Sequence, residues 1–171
     1  MPITQRKANL TDLNFISGCM LYGARKGSYS FNPDNPLTVK SMKQEMQSIV
    51  HRGILLDQRE AIARVFSIDN KRAGLLIICD SSLPGCGLEI YALSVALKYQ
   101  GKGYASYILD CFLSENPYMA VTARCSSSSE KMYSLLSRRG FEMLGVDSDF
   151  RVLQRAVLDR NDRLEPVYLR A

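Results

Sequence analysis

The spacing of apolar residues changes period several times along the chain, and each change marks an element. Ile3–Lys7 reads as a short first strand. Thr11 offers an N-cap oxygen, and Leu13, Ile16 and Met20 follow at helical spacing, which predicts a helix over 12–24. The stretch from Arg25 to Leu37, RKGSYSFNPDNPL, is crowded with Gly, Pro, Asn and Ser and reads as a long loop of the kind that lines binding sites. Val39, Met42, Met46, Ile49 and Val50 predict a second helix over 38–51. The pattern then shortens. Ala61–Ile68 and Ala73–Cys79 are apolar runs rich in β-branched residues, divided by Asp69-Asn70-Lys71, and predict an antiparallel pair. A loop, SSLPGCG, leads to a strand at Leu88–Ala96. After LKYQGKG comes a helix over 103–115, with Ala105, Ile108, Leu109 and Phe112 facing inward. Tyr118–Arg124 reads as a strand, and Ser127–Arg139 as a helix closed by Gly140. Phe141–Gly145 and Phe150–Val157 are strands joined by Val146-Asp147-Ser148-Asp149, with a further edge strand expected at Val167–Arg170.

The order β-α-α-β-β-β-α-β-α-β-β has three consecutive strands before the glycine turn, which is too irregular for a plain doubly wound fold. The simplest packing for this mixture of α and β (an α+β rather than a strictly alternating class) is a central, mostly antiparallel sheet with helices on both faces. The length of 171 residues fits a single domain, 1–171, able to bury ~70% of its unfolded surface.

Composition narrows the chemistry. The opening MPITQRKANL has no apolar core of the kind a secretory signal needs, and no apolar run approaches the ~20 residues of a membrane span, so a cytoplasmic protein is expected. Cys19, Cys79, Cys86, Cys111 and Cys125 are odd in number and never spaced as CxxC, so neither a disulfide framework nor a structural zinc site is indicated. His51 is the single histidine, which excludes a zinc site built on two or three of them. The expected metal complement is none. The net charge of +5 suits an anionic partner, but the basic residues are spread out, without a Lys/Arg block or aromatic interleaving, so no dedicated nucleic-acid surface is indicated.

The informative stretch is Leu93–Ser106, LSVALKYQGKGYAS, where a strand runs into a glycine turn and then a helix. Glycines let backbone N–H groups approach a phosphate, and the helix N-terminus adds positive potential, so the unit is an anion cradle suited to a diphosphate. It is not a Walker A loop, because no Lys-Ser/Thr pair follows the last glycine. A dinucleotide fingerprint on Gly101, Gly103 and Ser106 would expect an acidic residue about 20 positions on, where the chain has Thr122, Ala123 and Arg124, and too little alternating β/α chain follows.

Gln100-Gly101-Lys102-Gly103-Tyr104-Ala105 resembles the Q/R-x-x-G-x-G/A signature of the GCN5-related N-acetyltransferases, the GNAT superfamily. Leu93-Ser94-Val95 resembles that family's L-x-V strand end, and Arg138-Arg139-Gly140-Phe141 its helix-then-GF ending. The specific match covers Leu88 to Phe141, and the strand order matches from Ile3 to Val157.

The resemblance implies a sheet of about seven strands with about four helices, and an acetyltransferase that moves an acetyl group from acetyl-CoA (coenzyme A) to a primary amine by direct attack in a ternary complex. Gln100, Gly101, Lys102, Gly103, Tyr104 and Ala105 would wrap the coenzyme A diphosphate. The strand at Leu93 and Val95 would splay from its neighbour near Tyr118–Thr122, with the Val95 N–H aimed at the thioester oxygen. Glu89, six residues before Val95 and on the same face by the period-2 rule, stands where some members hold a general base. Many members have a tyrosine acid where this chain has Leu136, and an asparagine where it has Ser129. Tyr133, one helical turn earlier, is the candidate acid in this chain. Nothing near Cys125 would activate it as a nucleophile. The acceptor is expected to be a small-molecule, peptide or aminoacyl amine, with tRNA or a ribosomal particle as the form that would use the basic charge, and the C-terminal strands offer a homodimer edge. The Leu136 departure motivates the alternative of a catalytically degenerate acyl-CoA-binding module that acts as a sensor or interaction domain.

Overall fold

A computed structural model describes residues 3–83 and 87–157; Cys86 and the edge strand expected at 167–170 lie outside the described residues. Seven strands form one sheet in the order β1-β2-β3-β4-β5-β7-β6: β1 Ile3–Lys7, β2 Ala61–Ile68, β3 Lys71–Asp80, β4 Leu88–Val95, β5 Val121–Ser126, β6 Glu142–Asp147 and β7 Phe150–Arg155. Every neighbouring pair is antiparallel except β4 and β5. Helices α1 Leu13–Arg25 and α2 Pro36–Arg52 cover one face, and α3 Tyr104–Glu115 and α4 Glu130–Ser137 the other. The expected α/β architecture is therefore the one observed.

Two apolar cores follow from strand alternation. Val65, Leu75, Ile77 and Ala92 pack on Ile16, Met20, Met46 and Ile49 of α1 and α2. Phe66, Leu76, Ile78 and Ile90 pack on Ile108, Leu109 and Phe112 of α3 and Leu136 of α4. The residues between them in sequence alternate sides, as a pleated strand buried on both faces requires.

Several boundaries differ from the sequence expectation for local reasons. Thr11 does not cap α1. Asn9 takes that part: its side chain accepts the Thr11 N–H at 2.9 Å and opens a short 3-10 turn, Leu10–Asp12, ahead of the helix. α2 begins at Pro36, with Asn35 as N-cap and proline at the first helical position, where its missing N–H has no cost. Lys71 already belongs to β3, so the hairpin turn is Asp69-Asn70 alone, both left-handed (φ 49° and 60°), as a two-residue turn of twist-matching type demands. The strand expected at Tyr118–Arg124 runs instead from Val121 to Ser126, because Met119 N–H turns back to the Asn116 carbonyl. The serine run 126–129 forms its own turn, with Ser129 N–H on the Ser126 carbonyl, and delays α4 to Glu130. Gly140 closes α4 at φ 78° while Phe141 N–H reaches back to the Leu136 carbonyl.

One irregularity matters for function. The β3–β4 register slips between Ile77–Ala92 and Ile78–Ile90, which leaves Tyr91 as an extra residue in β4. A bulge of this kind shifts the side-chain phase of everything beyond it. Glu89 pairs with Cys79 and so lies on the α1/α2 face, whereas Val95 packs with the α3/α4 core. The same-face expectation for Glu89 and Val95 is thereby corrected: the two residues point to opposite sides of the sheet.

Candidate active site

The site is built where β4 leaves β5. These two strands pair only at Leu88–Val121, Glu89–Thr122 and Ile90–Ala123, then diverge, so the gap opens opposite residues 124–126 and not near Tyr118–Thr122 as expected. Ala96 N–H bonds the Ala73 carbonyl at 2.8 Å across β3. Because successive residues of an antiparallel ladder turn their amides to opposite sides, Val95 and Leu93 direct theirs away from β3 and into the gap. The Val95 carbonyl on that side accepts from Gln100 Nε2 at 2.8 Å.

That bond ties the glycine turn to the strand end. Gln100 N–H is itself taken by the Leu97 carbonyl, so Gln100 contributes a strut and not a backbone donor. From residue 101 to 106 the backbone N–H groups have no acceptor among the described residues. Gly101 and Gly103 are left-handed (φ 75° and 81°), and a Cβ at either would meet no protein atom within 4 Å. Glycine is thus set there by backbone conformation, in a turn whose free amides and helix N-terminus form a concave donor surface. Lys102 is exposed beside it, and Tyr104 packs edge-on to Tyr99 at 6.1 Å.

A cavity of about 260 Å³ occupies the gap and passes through the sheet. On the α3/α4 side it is walled by Leu93, Cys125, Ser129, Met132 and Leu136, and on the α1/α2 side by Met20, Tyr29, Phe31, Tyr91 and Glu89. Arg124 stands at the rim.

No protein-family model matches the sequence, and no curated protein gives a significant match. Solved structures do. A spermidine N-acetyltransferase from Vibrio cholerae, in complex with CoA and spermine, superposes with a TM-score of 0.66 at 16% identity, over 89% of this chain and 92% of its own. The PaiA N-acetyltransferase from Thermoplasma acidophilum, in complex with coenzyme A, gives 0.64 at 13% identity over 91% and 99%. The yncA protein of Salmonella typhimurium, with its cofactor acetyl-CoA, gives 0.67 at 17% identity over 93% and 96%. The chain has the GNAT fold.

Within the GNAT fold of this chain, the residues singled out from sequence fall into three places. Gln100, Gly101, Lys102, Gly103, Tyr104 and Ala105 form the turn, joined to Val95 through Gln100. Leu93, Ser129 and Glu89 line the cavity. Tyr133 does not: its ring lies under the Arg151 guanidinium at 4.5 Å, and Arg151 is in turn bonded to Glu130. Leu136, the departure from the signature, is 2% exposed and closes the cavity with an apolar wall. Burial pushes the Cys125 thiol up, which favours its protonated form. The described residues contain no group of three or more metal-ligating side chains, and none of their helices is long and apolar enough to cross a membrane.

Sequence reasoning missed the electrostatics of Glu89. Only 7% exposed, it receives Arg59 Nη1 at 2.9 Å, and Arg124 Nε lies 4.0 Å from its other oxygen. Burial opposes the Arg59 charge, but its bonds to Asp57 and Glu89 more than offset this and leave its pKa raised. Tyr29 and Tyr91 were missed as well; burial pushes both phenols up, so each presents a protonated hydroxyl.

Tyr29 owes its place to Gly23 of α1. A Cβ at Gly23 would lie 2.2 Å from Tyr29 Cε2, so the ring seats directly on the helix backbone. Gly23→Ala is expected to drive Tyr29 out of the cavity wall, a packing loss of ~1–3 kcal/mol that outweighs the gain in α1 helix propensity of up to ~1 kcal/mol. Thermal melting of the variant should show the net loss as a lowered midpoint.

Proposed function

We propose that this chain is an acyl-CoA-dependent N-acyltransferase, an acetyltransferase acting on a primary amine in a ternary complex. The observation that carries this is the parting of β4 from β5 directly before a turn with six unspent amides. A thioester of coenzyme A supplies the activated acyl group. The donors of residues 101–106 hold its pyrophosphate, Lys102 adds charge, and the Leu93 and Val95 backbone offers an edge along the gap to the pantetheine.

The cavity supports direct transfer because residues from both faces of the sheet line it. The thioester takes the side of Leu93, Ser129 and Leu136, and the amine the side of Tyr29, Tyr91 and Glu89. Glu89 receives the ammonium and draws off its proton, directly or through a water, and the nitrogen then forms its bond to the acyl carbon as the carbon–sulfur bond breaks. Val95 N–H faces the oxygen on which charge develops. Tyr133, set back from the lining one helical turn before Leu136, returns a proton to the departing sulfur through a water.

Leu136 favours a second reading, a module that binds acyl-CoA without turnover, since an apolar wall stands where a hydroxyl would serve the sulfur. One experiment separates the two. Purified protein with acetyl-CoA and a panel of amines, peptides and aminoacyl-tRNA should release thiol, and Glu89→Gln and Tyr133→Phe should each lower kcat by about 100-fold. Tight acetyl-CoA binding by calorimetry with no thiol release from any acceptor would decide for the module.

A further inference from the structure

Resting on the transferase reading of this cavity, we propose that its acceptor is a free α-amino acid with an apolar side chain, held as a zwitterion between Glu89 and Arg124.

Among the described residues Glu89 is the single carboxylate that lines the cavity, and Arg59 already pairs with it. Arg59 is further fixed by Asp57 Oδ2 at 2.8 Å and the Asp80 carbonyl at 2.8 Å, so it is a settled partner of Glu89 outside the cavity lining. Arg124 differs. Among the described residues it is the cation that lines the rim, its side chain 40% exposed, with one hydrogen bond, from Nη1 to Asp147 Oδ2 at 2.7 Å. Asp147 is well exposed, which makes that pair a solvent-screened and exchangeable one. Arg124 Nε stands 4.0 Å from Glu89 Oε1, beyond hydrogen-bond reach. A carboxylate and a guanidinium are thus side by side with bonding capacity left on both.

An α-amino acid carries its ammonium and carboxylate on one carbon, the same two charges in the opposite sense and at matching spacing. Its ammonium meets Glu89, and its carboxylate takes the Arg124 edge that Asp147 leaves unused, in charge-assisted bonds. The side chain then falls among Met20, Tyr29, Phe31 and Tyr91, a wall of aromatic and thioether surface. A polycation finds one lining carboxylate for its several charges, with the Arg124 guanidinium beside it. Glu45, on α2, reaches the Tyr91 hydroxyl at 3.4 Å and does not line the cavity.

The test is binding, read apart from turnover. L-phenylalanine, L-phenylalaninamide, phenethylamine and spermidine are titrated by calorimetry into the protein with and without saturating CoA. L-phenylalanine is expected to bind at least ~10-fold more tightly than its amide or phenethylamine, because a site built to pair a charge rejects the analogue that lacks it. Arg124→Gln should shrink that ratio to within about threefold while the CoA affinity stays put, and Arg124→Lys should restore part of it. Equal or tighter binding of the amide, the amine or spermidine by the unmodified protein overturns the proposal, as does a ratio that survives in Arg124→Gln, or no binding of L-phenylalanine at all. Thiol release from acetyl-CoA is measured alongside; selective amino-acid binding without it would defeat the transferase reading and leave the zwitterion site standing.

Discussion

Replacing Gly103 with alanine is expected to weaken coenzyme A binding by about 10- to 100-fold, whereas replacing Gly140 leaves it unchanged. The two positions form a matched pair. Both are left-handed, at φ 81° and 78°, and a Cβ at either meets no protein atom within 4 Å. An alanine forced into that region costs about 1–2 kcal/mol at each, so thermal midpoints should fall by similar amounts. What separates them is position. Gly103 caps α3, among amides that no part of the described chain uses, while Gly140 ends α4, where the neighbouring Phe141 N–H is spent on Leu136. If the turn grips a pyrophosphate, only the Gly103 change sets a Cβ and a strained backbone where that ligand approaches the free amides. Calorimetric titration of CoA into both variants checks this, and equal affinity in the two would remove the phosphate role from the turn.

The parts of this site that could be read in the sequence were the local ones. A strand, a glycine turn and a helix follow each other within Leu93–Ser106, so their chemistry needs no long-range contact to be recognised. Helix periodicity likewise placed Met20 and Met46 inward, and both are buried. The bulge at Tyr91 was not legible, because a bulge is a count of residues against a partner strand and has no signature in one strand alone. Counting by twos from Val95 therefore assigned Glu89 to the wrong face. Its partners were hidden for a related reason: Arg59 is 30 residues away and reaches Glu89 past the end of β3, which pairs with β4, whereas Arg124 arrives through the parallel β4–β5 pairing. The serine run at 126–129 misled differently, since its side chains and amides bond one another and postpone the helix that apolar spacing alone would start there.

The largest stability loss is expected at Asp12, far from the cavity. Its side chain is 0% exposed and accepts Arg6 Nη1 at 2.6 Å and Nη2 at 2.9 Å, Arg72 Nε at 2.6 Å and Asn9 N–H at 2.9 Å. One carboxylate thereby joins β1, β3 and the entry to α1, the helix that carries Met20 and Gly23. The Arg6 guanidinium, against the opposing effect of burial and with help from Asn9 N–H and Arg72, holds the Asp12 carboxyl well below the usual carboxylate range. Asp12→Ala should cost about 2–4 kcal/mol, below the figure for a fully buried pair because Arg6 and Arg72 are 45% and 40% exposed and regain water when released. Asp12→Asn should cost less, since its amide oxygen still accepts from Asn9. The pH dependence follows from the sign of the shift. A folded-state pKa below the unfolded value of about 3.9 contributes stability that is fully present above that value and disappears as the pH falls through the folded one. The gap between the native protein and Asp12→Asn should therefore be constant from about pH 5 to 7 and narrow steadily below about pH 4. Urea melts across that range measure it directly, and a gap that holds its size at pH 3 would mean the carboxylate is not the group that senses acid. On the proposed transferase reading, loosening this junction should also raise the acceptor KM before the CoA affinity changes, because α1 contributes Met20 to the cavity lining and nothing to the glycine turn.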